Sequence, residues 1–95
     1  MSEPRHEAAA VMVLLDRAMA EAARGHAGRT DDTADLRDMA AVDIHVAFLQ
    51  PGSGPLSATA RVCGGGRSVC FCEAEAMDAQ GHVVARGMGT FRALR

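Results

Sequence analysis

Aromatic side chains are scarce in this sequence of 95 residues, which contains three Phe and neither Trp nor Tyr. The net charge is −2, and Lys and Arg are spread along the chain. This composition argues against nucleic-acid binding, which needs basic patches or aromatic stacking platforms. No run reaches the roughly 18 apolar residues of a membrane-spanning helix, so we expect no membrane insertion.

Cysteine is also infrequent, and its odd count of three favours no disulfide framework. The first residues, MSEPRHE, are polar and lack the apolar middle and small-residue cleavage site of a secretory signal. We therefore expect a cytoplasmic protein with reduced thiols. Its length predicts a single domain over residues 1–95, with a thin core filled by small aliphatic side chains and Met.

Residues 7–25 show the periodicity of an amphipathic helix. Because every residue from Ala8 to Leu15 is apolar, the pattern further predicts that the first two turns are buried nearly all round. At 100° per residue, one apolar side collects Val11, Leu14, Leu15, Ala18, Met19 and Ala22.

Asp16 is the first charged residue after that apolar run and falls at the border of the apolar side. Its helical neighbours three and four positions away are all apolar, so no side chain of the helix is placed to pair with it. An unpaired carboxylate beside an apolar wall is a candidate catalytic group. The alternative is a carboxylate at the edge of the helix that reaches solvent or a residue of another subunit.

The remaining chain predicts a loop and then strands. Residues 26–39 are mostly polar and lack periodicity, whereas alternation of apolar and polar residues begins near Ala41. Turn-forming residues divide the alternating part, as in QPGSGP and DAQGH. The predicted strands cover residues 41–49, 55–63, 67–77 and 82–94.

Short connections between these strands predict an antiparallel meander with one face covered by the helix, which is an α+β fold. Gly87 and Gly89 in the last strand are expected where another element approaches the backbone closely. An open sheet of four strands leaves two unpaired edges, and self-association is the simplest way to cover them.

Three segments carry a resemblance to a known family: the strand that ends in FLQP, the GRS turn followed by EAEA, and the closing VARGMGTF. Over residues 41–94, and back through the helix, the chain resembles hotdog-fold acyl-CoA thioesterases of the phenylacetyl-CoA and 4-hydroxybenzoyl-CoA type. The resemblance implies one long helix on a curved antiparallel sheet. It also implies pairing through the strand after the helix into a homodimer or homotetramer. The first strand of this family has no counterpart in the sequence.

The resemblance also implies a site. In this family the helix opens with His-Gly-Gly, and an acidic residue a little over two turns later acts on the thioester; Asp16 occupies the acidic position. The His-Gly-Gly positions hold Glu7, Ala8 and Ala9, so the amides of Ala8 and Ala9 are the candidate oxyanion donors. Asp16 is then a general base on water or a direct nucleophile.

The turn that contains Gly66, Arg67 and Ser68 is a candidate site for a phosphate of CoA, with a solvated hairpin as the alternative. We expect no cofactor apart from the CoA of the substrate, and no metal, because Cys70 and Cys72 lack a second ligand pair. The function that follows is hydrolysis of a small aromatic or medium-chain acyl-CoA. The alternative is a hotdog protein that binds an acyl-CoA or another ligand without catalysis, or that only dimerises.

Overall fold

The computed structural model describes residues 8–30, 39–66 and 68–94, which form one helix and four strands. Helix α1 packs on one face of an antiparallel sheet. The predicted arrangement of one helix on four antiparallel strands is therefore confirmed. The elements are α1 (Ala8–Thr30), β1 (Met39–Phe48), β2 (Ser57–Gly65), β3 (Val69–Met77) and β4 (Val83–Ala93).

Helix α1 extends further than the sequence predicted, since it continues through Gly25 to Thr30 instead of ending at residue 25. A glycine inside a helix costs only about 1 kcal/mol relative to Ala, which is too little to end a helix that is packed on a sheet. The prediction of a loop over residues 26–39 was therefore wrong for residues 26–30, which are helical. Residues 31–38 of that loop lie outside the described residues.

The order of strands in the sheet is β1-β4-β3-β2, so β1 pairs with β4 and not with β2. Strands β2, β3 and β4 form the predicted meander. The prediction of a continuous meander was wrong for β1, because the segment between β1 and β2 crosses the end of the sheet. That crossing places β1 at one open edge and β2 at the other.

Asp78, in the turn between β3 and β4, holds the crossing segment in place. Its carboxylate accepts hydrogen bonds from the amides of Ser53 (3.3 Å), Gln80 (2.9 Å) and His82 (2.9 Å). The amide of Ala79 in turn donates to the carbonyl of Ser53 at 3.2 Å. Gly52 lies so close to β4 that a Cβ there would be 2.6 Å from a methyl group of Val84. This cross-link was not predicted, because Ser53 and Asp78 lie 25 residues apart and their contact follows no periodic pattern.

The side chain of Asp78 is only 2% exposed, and its charge is stabilised by these donors. Burial alone would raise the pKa of Asp78, but the amide hydrogen bonds from His82, Ser53 and Gln80, together with the His82 ring, hold that pKa below its usual value. A carboxyl group with a lowered pKa in the folded state stabilises the fold above its unfolded pKa. That contribution is lost as the pH falls through the folded pKa.

Substitution Asp78→Asn is therefore expected to lower the melting temperature at about pH 7, with the difference from wild type shrinking toward about pH 2.5. Thermal unfolding followed by circular dichroism measures both curves. Glu75→Gln is the matched control, because its exposed pair with Arg86 contributes little to stability. A difference between wild type and Asp78→Asn that is constant over this pH range would contradict the role of the carboxylate.

The core between helix and sheet depends on small side chains in the sheet. Leu15 and Met19 are fully buried and lie over β4, where a Cβ at Gly87 would be 3.4 Å from each of them. The predicted close approach at Gly87 is confirmed. The sheet side of this core consists of buried residues with mostly small side chains: Cys70, Cys72, Ala74, Ala76, Val84, Ala85 and Phe91.

The start of α1 differs from the prediction that its first two turns are buried nearly all round. Ala8, Ala9 and Ala10 are exposed, and Met12 and Val13 are 43% and 50% exposed. A single sheet covers only one side of a helix, so the other apolar side chains remain in contact with solvent. Among the described residues, no helix is both long and apolar enough to cross a membrane.

Leu15→Ala is expected to reduce the free energy of unfolding by about 3 kcal/mol, because it leaves a cavity above Gly87. Val13→Ala, two residues away but half exposed, is expected to cost under about 0.5 kcal/mol. Urea unfolding of both variants and wild type measures the difference. Equal losses of unfolding free energy in the two variants would show that the Leu15 side of α1 does not pack against the sheet.

Candidate active site at Asp16

Asp16 lies beside a groove of about 550 Å³ between α1 and the start of β1. Its side chain is half-buried, and no other described residue forms a hydrogen bond or an ion pair with it. The apolar wall of the groove comes from Met39, Ala41 and Phe91. Its mouth carries the charged helix residues Arg17, Glu21 and Arg24.

This placement follows from the local sequence. Leu15 and Met19 face the sheet and fix the rotation of α1, so the residue after Leu15 points sideways toward the β1 edge. Phe91 is fully buried and paired in register with Ala41, which builds the wall opposite Asp16. The sequence predicted the acid and its apolar surroundings. It did not predict Met39, Ala41 or Phe91, because they come from strands whose pairing was not known.

The first residues of α1 lie at the end of the sheet opposite to Met39 and Phe91, which line this groove. Ala8 and Ala9 are exposed, and Val11 one turn later lines a smaller groove of about 320 Å³ with Phe48, Leu49 and Val84. The first turn contains no acidic residue among those described. Amides of a first helical turn lack acceptors within the helix and carry a partial positive charge, so they are suited to bind an oxyanion.

One chain cannot bring these two groups to the same atom. Asp16 follows Ala8 by eight residues, which is about 12 Å along the axis at 1.5 Å per residue. An attacking group and an oxyanion donor must both lie roughly 3 Å from the reacting carbonyl. Asp16 and the helix start of the same chain are therefore too far apart to act on one carbonyl group.

The candidate phosphate-binding turn lies at the same end of the sheet as Met39 and Phe91, which line the Asp16 groove. The carbonyl of Ser68 accepts a hydrogen bond from the amide of Ala93 at 2.7 Å. Gly66 and Ser68 lie between β2 and β3, at the end of the sheet where Cys70 pairs with Phe91. The amide of Gly66 already donates to the carbonyl of Val69 at 2.8 Å, so it is not available for a phosphate. Ser68 is exposed, and Arg67 lies outside the described residues.

Two arginines and a histidine lie on the sheet face that points away from α1. Arg61 pairs with Glu73, and Arg86 pairs with Glu75, across the sheet face that points away from α1. His45 is exposed on that same face, opposite Met88. The described residues contain no group of three or more His, Cys, Asp or Glu that could hold a metal ion.

Cys70 and Cys72 are buried in the core, and both are free thiols. Burial raises the pKa of both, and with the help of Cys70 it raises the pKa of Cys72 to about 12. The Cys72 thiol donates to the carbonyl of Met19 at 3.7 Å. These two thiols are therefore poor nucleophiles at neutral pH.

Comparison with known sequences identifies one family. The sequence model of the thioesterase superfamily matches residues 8–85, which include α1 and most of the sheet. No protein of curated function matches the sequence.

Solved structures share the fold at low sequence identity. A protein from Shewanella oneidensis related to the thioesterase superfamily is 24% identical with a TM-score of 0.86, over 94% of this chain and 63% of its own. The BH2602 protein of Bacillus halodurans, solved with CoA, has 24% identity and a TM-score of 0.81, over 98% of this chain and 63% of its own.

The E. coli PaaI protein from the phenylacetic acid degradation operon is also 24% identical, with a TM-score of 0.80. The match covers 96% of this chain and 61% of PaaI. This chain thus spans a little over three fifths of the length of these three proteins.

Proposed function

Because this chain belongs to the thioesterase superfamily, we propose that it hydrolyses an acyl-CoA thioester with the Asp16 carboxylate as general base or nucleophile. The observation that carries the proposal is the half-buried carboxylate of Asp16 beside an apolar wall, with no partner among the described residues. Structural carboxylates that are partly buried are usually hydrogen-bonded, as Asp78 is. A carboxylate held in a groove without a partner is available for chemistry.

The chemistry requires attack on the thioester carbon. As a general base, Asp16 takes a proton from water while the oxygen of that water forms a bond to the carbon. As a nucleophile, Asp16 forms a mixed anhydride that water then hydrolyses. In both routes the C–S bond breaks, CoA leaves as a thiol, and a carboxylic acid is released. The amides of Ala8 and Ala9 stabilise the negative oxygen of the tetrahedral intermediate.

The separation of about 12 Å along the helix axis between these groups leads us to place each site between two copies of the chain. Strand β1 is an open edge on the same side of the protein as the Asp16 groove. Large apolar side chains are exposed along this side: Met12, Val42, Phe48 and Leu49. Pairing of β1 with β1 of a second copy covers them and brings two α1 helices together about a two-fold axis.

The apolar groove at Val11, Phe48 and Leu49 suits the acyl group. Its volume of about 320 Å³ supports a small aromatic or medium-chain acyl group as the substrate. The relatives give further support, since one was solved with CoA and PaaI comes from a phenylacetic acid operon. At the CoA end of the substrate, we propose that the Ser68 hydroxyl and the Arg67 guanidinium donate hydrogen bonds to a phosphate group.

Asp16→Asn is expected to lower kcat for hydrolysis of phenylacetyl-CoA by roughly 10²- to 10⁴-fold, because the amide cannot accept the proton or attack. Release of CoA, followed with a thiol reagent, measures the rate. Glu75→Gln makes the same acid-to-amide change on the far face of the sheet and is expected to leave the rate unchanged. Equal activity of Asp16→Asn and wild type removes Asp16 from the mechanism.

Mixing two inactive variants tests whether the site is shared between chains. Ala8→Pro removes one amide donor at a position where helices tolerate proline, and it is expected to be inactive alone, as is Asp16→Asn. Random reassociation makes half of the dimers mixed, and each mixed dimer has one intact site, so about a quarter of wild-type activity returns. No recovery, in a mixture that light scattering shows to be dimeric, contradicts a shared site.

A second candidate function is binding of acyl-CoA without turnover. It is favoured by the alanines at the start of α1, which lack the conformational freedom of glycine where the substrate must approach closely. Calorimetry with a nonhydrolysable acyl-CoA thioether, beside the hydrolysis assay, separates the two functions. Binding with no CoA release from any thioester supports the second function. Turnover that depends on Asp16 supports the first.

A further inference from the structure

Val84 interrupts the alternation of buried and exposed side chains in β4, because both it and the next residue, Ala85, are buried. Ala85 pairs in register with Ala76 of β3, whereas the next pair toward the turn joins Val83 to Met77. Val84 is therefore the extra residue of a β-bulge. A bulge turns a side chain away from the direction that strict alternation would give it.

The side chain of Val84 forms part of the groove of about 320 Å³ at the start of α1, which is lined by Val11, residues 48–52 and Val84. Val11 and Val84 are each 4% exposed, whereas Phe48 and Leu49 are 53% and 52% exposed. Exposed side chains can turn toward solvent, but buried ones are held by close packing. Val11 and Val84 are therefore the fixed surfaces of this groove.

The backbone of Val84 holds another wall of the same groove. Its carbonyl group accepts hydrogen bonds from the amides of Leu49 (2.9 Å) and Gln50 (3.4 Å). The side-chain amide of Gln50 donates to the carbonyl of Val83 at 3.0 Å. A Cβ at Gly52 would be 2.6 Å from Cγ1 of Val84, so this glycine leaves the space that the valine occupies. These contacts fix the position of the valine side chain relative to the wall.

From these contacts we propose that Val84 sets the length of the acyl group that the protein accepts, an inference that rests on the proposed function. Val11 lies three residues after Ala8, whose amide is a proposed oxyanion donor, so Val11 is close to the reacting carbonyl group. Val84 belongs to the sheet beneath the helix and contacts the far end of the acyl group. A straight chain fits until its last carbon reaches Val84, and a longer chain does not fit.

The proposal predicts a sharp optimum of chain length. Each methylene group that enters the groove is expected to raise kcat/KM about fourfold, which corresponds to about 0.8 kcal/mol. The first carbon that does not fit is expected to lower kcat/KM by about tenfold or more, because close-packed side chains leave no room for an extra methylene. A straight-chain series from butanoyl-CoA to dodecanoyl-CoA, assayed by CoA release, locates the optimum.

Variants of Val84 test whether its size determines this optimum. Val84→Ala removes two methyl groups and is expected to move the optimum to chains longer by about two carbons. Val84→Ile adds one methylene and is expected to move it about one carbon the other way. Val62→Ala is the matched control, because Val62 packs against the core from β2 and is not part of the groove. If circular dichroism shows that Val84→Ala does not fold, Val84→Ile decides the question.

Gly52→Ala tests whether the position of Val84 matters as well as its size. The added methyl group would lie 2.6 Å from Cγ1 of Val84 and 3.1 Å from Cβ of Asp78. The valine must then move away from residue 52, and we expect the accepted chain to shorten because the displaced side chain fills part of the groove. The double variant Gly52→Ala/Val84→Ala lacks the clashing Cγ1 atom and is expected to accept chains at least as long as wild type does.

Calorimetry with the same series of nonhydrolysable acyl-CoA thioethers separates failure of this inference from failure of the proposed function. An optimum that is the same in wild type and in the Val84 variants overturns the role of Val84 and leaves the proposed function intact. An equal shift in Val62→Ala also overturns that role, because it reflects loosened packing. Neither hydrolysis nor binding at any chain length overturns both proposals. An optimum that follows the size of residue 84 supports the inference, whether the protein hydrolyses its ligand or only binds it.

Discussion

The contact of Leu15 and Met19 with the glycine at position 87 sets the geometry on which the other features depend. Because the sheet presents a glycine and small side chains here, α1 can lie close to the backbone of β4. That contact fixes the rotation of the helix about its axis. The rotation decides which residues face sideways, and Asp16 faces the β1 edge as a result. A larger residue at position 87 would have to displace the helix and, with it, the carboxylate.

The crossing segment determines which edges the sheet leaves open. Asp78 joins the turn between β3 and β4 to Ser53, so β1 and β2 end on opposite sides of the sheet. One edge then lies beside the Asp16 groove, and the other lies under the far flank of the helix. The two open edges therefore have different surroundings. A plain meander with β1 beside β2 would place its open edges at β1 and β4 instead.

Periodicity in the sequence was sufficient to predict the helix, the strands and the alternation of side chains in β2 and β3. Alternation in β3 separates Cys70 and Cys72 from Phe71 and Glu73, as the structure shows. Pairing was harder to predict, because it depends on Asp78 and Ser53, whose contact has no periodic signal. The candidate site was predicted in part. Asp16 stood out as an acid among apolar residues, whereas Met39, Ala41 and Phe91 come together only through the pairing of β1 with β4.

The three cysteines lie in very different surroundings. Cys70 and Cys72 are sealed beneath the helix, and burial raises the pKa of both thiols, whereas Cys63 is exposed near the end of β2. A maleimide added to the folded protein therefore reaches one sulfur atom. The natural sequence thus carries a single attachment point for a fluorophore or spin label, without any engineered cysteine. Unfolding exposes Cys70 and Cys72 to the reagent. The number of modified sulfur atoms per chain therefore rises with the fraction of molecules that are unfolded.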